Sequence, residues 1–208
     1  MPEDLVVLAA DKNIHYALRG LLGRPRALGI RRIEAEFLVH PRRDPGCARD
    51  AHQLLQPLAR RYRQALVVFD LEGSGREAEG REALEGQVRV RLAASGWQDR
   101  AEVVVIEPEL EAWVFSPSPH VGTCLGWREA MGPLRRWLER QDLWADDRLK
   151  PERPREALER ALRAVGRPRS SALYECLARR VGLKGCSDVA FRKLAETLRA
   201  WFPAKVGQ

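Results

Sequence analysis

The residues whose types and spacing could do chemistry are carboxylates at the ends of apolar runs. In LVVFDLEGSG, residues 66–75, a greasy run breaks into Asp70 and Glu72 and then into Gly73-Ser74-Gly75. Acids two apart leave the same face of a continuing strand. Such a pair suits magnesium, which takes one or two carboxylates and completes its shell with water and phosphate oxygens. Glycines at 73 and 75 would let a phosphate or a backbone come close. A second run, IEPELEAWVF at 106–115, carries Glu107, Glu109 and Glu111, and a third, LVVLAAD at 5–11, ends in Asp11. Brought to one place, these acids would repel one another unless a cation or Arg and Lys side chains neutralised them. The same residues also have an ordinary reading. Acids cap helices and end strands, Pro108 suits a first helical turn, and Glu109 and Glu111 complement the positive end of that helix.

The elements that would position these acids follow from hydrophobic periodicity. Residues 5–10 form a continuous apolar run, as in a strand buried on both faces. Ile14, Ala17, Leu18, Leu21 and Leu22 then recur at helical spacing, with Asn13 as the expected cap. Residues 33–39 alternate as a half-buried strand near a sheet edge. A helix over 47–64 is expected, kinked at Pro57. Strands follow at 65–69 and 101–106, with a helix over 77–94 between them. After Gly126 only helices are predicted: 127–141, 153–165, 171–181 and 188–201. The predicted class is α/β. A mostly parallel four-stranded sheet with helices on both faces spans residues 1–125, and an all-helical C-terminal extension, 126–208, packs on it. In such sheets ligands bind beyond the carboxyl ends of the strands, which gathers Asp11, Asp70, Glu72, Glu107, Glu109 and Glu111 at one edge.

Composition narrows the class. The chain has 208 residues, 45% of them hydrophobic, with 36 Lys and Arg against 29 Asp and Glu. The resulting charge of +7 permits a nucleic-acid partner without demanding one. No apolar run approaches the roughly 18 residues of a membrane span, and the acidic start Met1-Pro2-Glu3-Asp4 has no signal-peptide character, so a cytoplasmic protein is expected. Cys47, Cys124, Cys176 and Cys186 never fall in a C-x-x-C spacing and read as reduced thiols. The histidines are far apart, and of them only His15 could face the site. Ser74 lacks the flanking pattern of a nucleophile elbow, and Gly73-Ser74-Gly75 lacks the end of a phosphate-binding loop. The helices at 171–181 and 188–201 could be scored as helix-turn-helix, but their apolar faces favour bundle packing over a DNA-reading role.

A strand followed by an acid and a helix, then a strand ending in an acid-x-acid pair, then a strand followed by acids at a helix start, resembles the Toprim fold. That fold occurs in topoisomerases, primases and overcoming-lysogenization-defect nucleases. PELEAW is similar to the P-x-x-E-x-W segment of small Toprim-related proteins of bacterial defence loci. The whole chain, including SSALYECLARR and CSDVAFRKLAETLRAWFP, resembles a bacterial family associated with methylation-associated phage defence. The resemblance places Asp11 where a general acid or base glutamate would stand, Asp70 at the first metal-holding aspartate and Glu72 at the second. Glu111 matches the glutamate before the tryptophan. The resemblance thereby implies catalysis by Asp11 and Glu111 and Mg²⁺, or Mn²⁺ in its stead, held by Asp70 and Glu72; Glu107 and Glu109, which have no firm counterpart in it, are candidate further ligands from their expected place beside that pair. The implied function is an antiphage-defence nuclease cleaving phosphodiester bonds, partnered by nucleic acid and by other defence proteins. A non-catalytic subunit binding nucleic acid or protein is the alternative, favoured by the shorter reach of Asp11.

Overall fold

The computed structural model of the chain describes residues 2–183 and 186–204. Four strands, β1 (Glu3–Ala9), β2 (Ala35–Val39), β3 (Tyr62–Asp70) and β4 (Ala101–Ile106), pair in parallel in the order β2-β1-β3-β4. β1 and β3 are the inner pair, and both are buried over nearly their whole length. Their Val, Leu and Ala runs satisfy two covered faces rather than one. The register sets Val7 beside Phe37 on one side and Leu66 on the other, and it brings Asp70 level with Ile106.

Helices α1 (Lys12–Leu22), α2 (Pro25–Leu28), α3 (Arg43–Leu55) and α4 (Arg81–Leu92) connect the strands. α5 (His120–Leu125), α6 (Leu134–Glu139), α7 (Pro154–Ala164), α8 (Ser171–Arg180) and α9 (Val189–Trp201) follow β4. The α/β class, the parallel sheet and the C-terminal helices are as the sequence pattern predicts. One apolar cluster runs from Leu5 through Phe202, so the later helices share the core of the sheet. Among the described residues no helix is long and apolar enough to cross a membrane.

Several boundaries differ for local reasons. Asp11, not Asn13, caps α1: its Oδ1 accepts from the Ile14 N–H at 2.9 Å. α3 begins at Arg43 and stops at Leu55, because Pro57 has no N–H to continue the ladder; Tyr62 to Gln64 join β3 instead. The predicted helix at 77–94 is split at Gly80, whose φ of 76° is left-handed. The one at 127–141 shrinks to α6 because Gly132 and Pro133 interrupt it. Cys124 and Cys176 form a disulfide tying α5 to α8, which overturns the reading of four thiols; Cys47 and Cys186 are unpaired.

The C-terminal helices are anchored by close packing and by arginines. A Cβ on Gly20 of α1 would stand 2.8 Å from the Ala178 Cβ, so the glycine is what lets α8 lie against α1. Arg24 donates to the carbonyls of Ala178 and Val181, each at 2.8 Å. Leu173, Leu177, Phe191, Leu194 and Leu198 are buried, so α8 and α9 spend their apolar faces on the core. Lys184 and Gly185 in the joint between them lie outside the described residues.

The outer edge of β4 is closed by side chains. Glu85, almost fully buried, accepts from the Val105 N–H at 3.0 Å and from Lys193 Nζ at 3.0 Å. Lys193 also donates to the Val103 carbonyl at 2.7 Å. Glu85→Ala leaves the buried Val105 amide without its acceptor and takes from Lys193 one of two carboxylates, the other being Glu102 at 3.0 Å, a loss of about 2 kcal/mol. Urea titration should show that loss. The Cys124–Cys176 bridge spans 52 residues, and a loop of that length is worth about 4 kcal/mol of unfolded-state entropy. Dithiothreitol should lower wild-type stability on that scale and leave Cys124→Ser unchanged.

Candidate functional site

In a sheet ordered β2-β1-β3-β4 the connections leave β1 in one direction and return past it to β3. A crevice therefore opens beyond the carboxyl ends of those two strands. Asp11 follows β1 and Asp70 closes β3. Asp44, in the first turn of α3, completes this side: its Oδ1 accepts from the Asp70 N–H at 2.8 Å. The preceding residue, Arg43, has a φ of 48°, a conformation that costs a non-glycine residue about 1 kcal/mol or more.

Asp70 is 8% exposed, and its Oδ1 is buried with no hydrogen-bond partner among the described residues. Burial pushes its carboxyl well above the usual range, and the negative charges of Asp44, Glu111, Asp11 and Glu109 push it further. Asp44 is raised too, chiefly by burial, although the Asp70 amide opposes the shift. Asp11 keeps one oxygen on the cap of α1.

The glutamates after β4 are in a different state. Glu109 and Glu111 are each 2% exposed, and each has an arginine. Glu109 Oε1 accepts from the Arg155 N–H at 2.9 Å, and its Oε2 lies 2.5 Å from Arg155 Nη2. That second contact is an ion pair. Burial first, and then the charge of Glu111, raise the Glu109 carboxyl to about 7 against the pull of Arg155. Glu111 Oε1 accepts from Arg169 Nη1 at 2.8 Å and from the Tyr174 hydroxyl. Burial, with Glu111 second, pushes that phenol upward.

Among the six predicted acids, the charges of Glu111, Asp11 and Glu109 act on Asp70, and those of Glu111 and, from the rim, Glu72 act on Glu109. Glu72 and Glu107 are exposed at the rim. β3 stops at Asp70, so the expectation that Asp70 and Glu72 share a strand face does not apply; the turn sends one side chain inward and the other to solvent. Gly73 and Gly75 hold left-handed φ values of 83° and 72° in that turn. His15 stacks on Phe37 with ring centroids 4.9 Å apart, and Ser74 Oγ accepts from the Arg76 amide. Neither contributes to the cluster.

Asp44, Arg155, Arg169 and Tyr174 escaped the sequence reading. The strand-end rule could have found Asp44, because it follows β2 as Asp11 follows β1. The other three lie 46, 58 and 63 residues from the glutamates they touch, with no local pattern to announce them.

The cluster fits a divalent cation in a limited sense. Among the described residues no three His, Cys, Asp or Glu side chains are gathered so as to hold a metal ion between them. Magnesium does not need three: one or two carboxylates suffice when water and phosphate complete its shell. The oxygen-only donors and the unpartnered Asp70 Oδ1 meet that requirement.

Raised carboxyl groups have a defined sign in stability. The folded chain holds more protons than the unfolded one between the ordinary carboxylate range and the raised folded values, so stability falls as pH rises through that window. Wild-type protein in EDTA should therefore lose stability from about pH 4.5 to about pH 7, where Glu109 titrates. Asp70→Asn should flatten the slope and raise the urea midpoint at pH 7; a lowered midpoint would contradict this account of Asp70. Comparison of the chain with family models, with curated proteins and with solved structures returns no match.

Proposed function

We propose that the carboxyl edge of the sheet is a divalent-cation-dependent site for cleaving phosphodiester bonds of nucleic acid, and that the protein is the nuclease component of a bacterial antiphage-defence system. The observation that carries the chemistry is the buried, unpartnered Asp70 Oδ1 with four other acids around it. Such a group is costly to the fold and is typical of sites that bind or react. The assignment to defence, to the bacterial cytoplasm and to other defence proteins as partners comes from the Toprim-like order of strands and acids and from the PELEAW segment. In the cytoplasm Cys124 and Cys176 would be held as thiols, and α8 would keep its place through Gly20, Arg24 and Tyr174.

Asp70, with Asp44 or Asp11, would hold Mg²⁺ or Mn²⁺. When bound, the cation supplies charge stabilisation at the phosphoryl oxygens and makes water more acidic. The chain supplies the rest. Glu109, near neutrality at its raised value, is suited to accept and return a proton at physiological pH. Arg155 holds Glu109 in place, while Arg169 and Tyr174 hold Glu111. This shifts the proton-handling role from Asp11 and Glu111 to Glu109. Asp11 caps α1, and Glu111 is engaged from two sides. Glu72 and Glu107, at the exposed rim, would meet substrate or cation only from outside.

The pairing of Glu109 and Glu111 with arginines favours a second reading, a non-catalytic subunit that binds nucleic acid or protein through the same edge. One assay separates the two. Purified protein is incubated with plasmid and with single-stranded DNA and RNA in Mg²⁺, Mn²⁺ or EDTA. Metal-dependent cleavage that Asp70→Asn reduces by about 100-fold or more is expected. No cleavage by wild type, or full cleavage by Asp70→Asn, removes the nuclease reading.

A further inference from the structure

The two edges of the sheet are finished differently. At β4 the outward main-chain groups are taken up by side chains: Glu102 accepts from the Val103 amide, Lys193 donates to the Val103 carbonyl, and Glu85 accepts from the Val105 amide. β2 has no such cover. Glu34 accepts from the Leu5 amide and the His40 amide donates to the Ala9 carbonyl, so the even-numbered residues of this stretch turn their main chain toward β1. Ala35, Phe37 and Val39 must turn theirs outward. Among the described residues nothing bonds to those outward amides and carbonyls.

The side chains on one face of this edge strand, Ala35, Phe37 and Val39, are apolar. Ala35 and Phe37 are half-buried, and Val39 is 38% exposed. A concavity lined by Leu22, Pro25, Ile33, Ala35 and Phe37, together with Arg32, runs beside them. Soluble proteins usually blunt such an edge with a lysine, a proline or a covering element, as this chain does at β4. At β2 the blunting residue, Pro41, comes only after the strand has ended.

We propose that the β2 edge pairs with β2 of a second copy, antiparallel about a twofold axis at Phe37, so that two sheets become one continuous sheet. The strand is self-complementary in this register. Phe37 meets Phe37, and Ala35 meets Val39 at both ends. Each of these is a pair in which both residues face the partner with their main-chain groups, so about six hydrogen bonds close across the axis. On the other sheet face Glu36 stands opposite Leu38 and Glu34 opposite His40, so no two like charges face each other within the paired stretch. Ile33 falls opposite Pro41, which ends the ladder and leaves Arg32 and Arg42 outside it. Another protein's strand would find the same amides, but not this matched sequence.

Sedimentation equilibrium of the full chain measures the association, and hydrogen exchange locates it. The expected result is twice the chain mass. The amides of Ala35, Phe37 and Val39 should be protected at high concentration and lose protection on dilution. Val39→Pro removes an outward amide that the β1–β2 ladder does not use. It should raise the dissociation constant by about tenfold or more, with an unchanged circular dichroism spectrum. Should that variant fail to fold, the concentration dependence of wild-type exchange decides alone. A monomer at about 100 μM, concentration-independent exchange at those amides, or a dimer indifferent to Val39→Pro would each overturn the proposal.

Discussion

Two glutamates buried at the end of a parallel sheet need cations beside them, and the placement of the C-terminal helices follows from that need. Glu109 and Glu111 sit where a lone carboxylate would cost several kcal/mol in lost hydration. Arg155 at the start of α7 and Arg169 ahead of α8 supply the opposite charges, and Tyr174 brings α8 itself to Glu111. α8 then lies along α1, which starts at the cap made by Asp11, so the glutamates after β4 and the acid after β1 belong to one connected arrangement. The arginine side chains remain partly open to solvent while the carboxylates are buried, although the Nε of Arg155 is itself buried. Desolvation is thus reduced for the partner with the stronger tendency to stay charged.

The same arrangement divides the acids into two populations. On the β4 side each glutamate is matched by an arginine. On the β1 and β3 sides Asp11 and Asp44 have amides for partners, which only partly offset negative charge, and no amide is bonded to the Asp70 carboxyl among the described residues. Asp70 carries the largest burden, because the end of β3 is buried on both faces and its Oδ1 has nothing to bond. The charge deficit therefore lies next to the crevice at the strand-order reversal, where an incoming cation or a phosphate carrying one would relieve it. The burial of this one carboxyl group works against the stability of the fold, as strongly perturbed groups at binding and catalytic positions often do.

Parts of this were plain in the amino-acid order. β1, β3 and β4 are short apolar runs rich in Val, and covered parallel strands have few other ways to be written. The helices rich in Leu after Pro151 appeared where their periodicity put them, within a residue or two. Errors arose where a periodic pattern ran through a backbone that could not follow it. The apolar spacing past Leu55 continues through Pro57, but the missing N–H stops α3 there. The helix expected from residue 47 starts four residues earlier, at Arg43, because the polar, proline-containing stretch before Cys47 has no apolar periodicity to announce it, and Asp44 lies in that stretch. The cysteine pair was hidden for another reason: Cys124 and Cys176 have no meaningful spacing in the chain and meet only because α5 and α8 pack together.

Sequence alone determined the class of fold and the list of acids that could meet at one edge, because strand burial, helix periodicity and strand-end chemistry are local properties. Tertiary structure decided which of those acids are matched and which are left in charge deficit. Glu109 and Glu111 obtain their arginines across 46 and 58 residues, Glu72 turns outward one step past the end of β3, and Asp70 turns inward to neighbours from three elements. The physical reason is that a carboxylate's protonation and availability depend on burial and on charges within a few ångströms, and both are set by packing between distant parts of the chain.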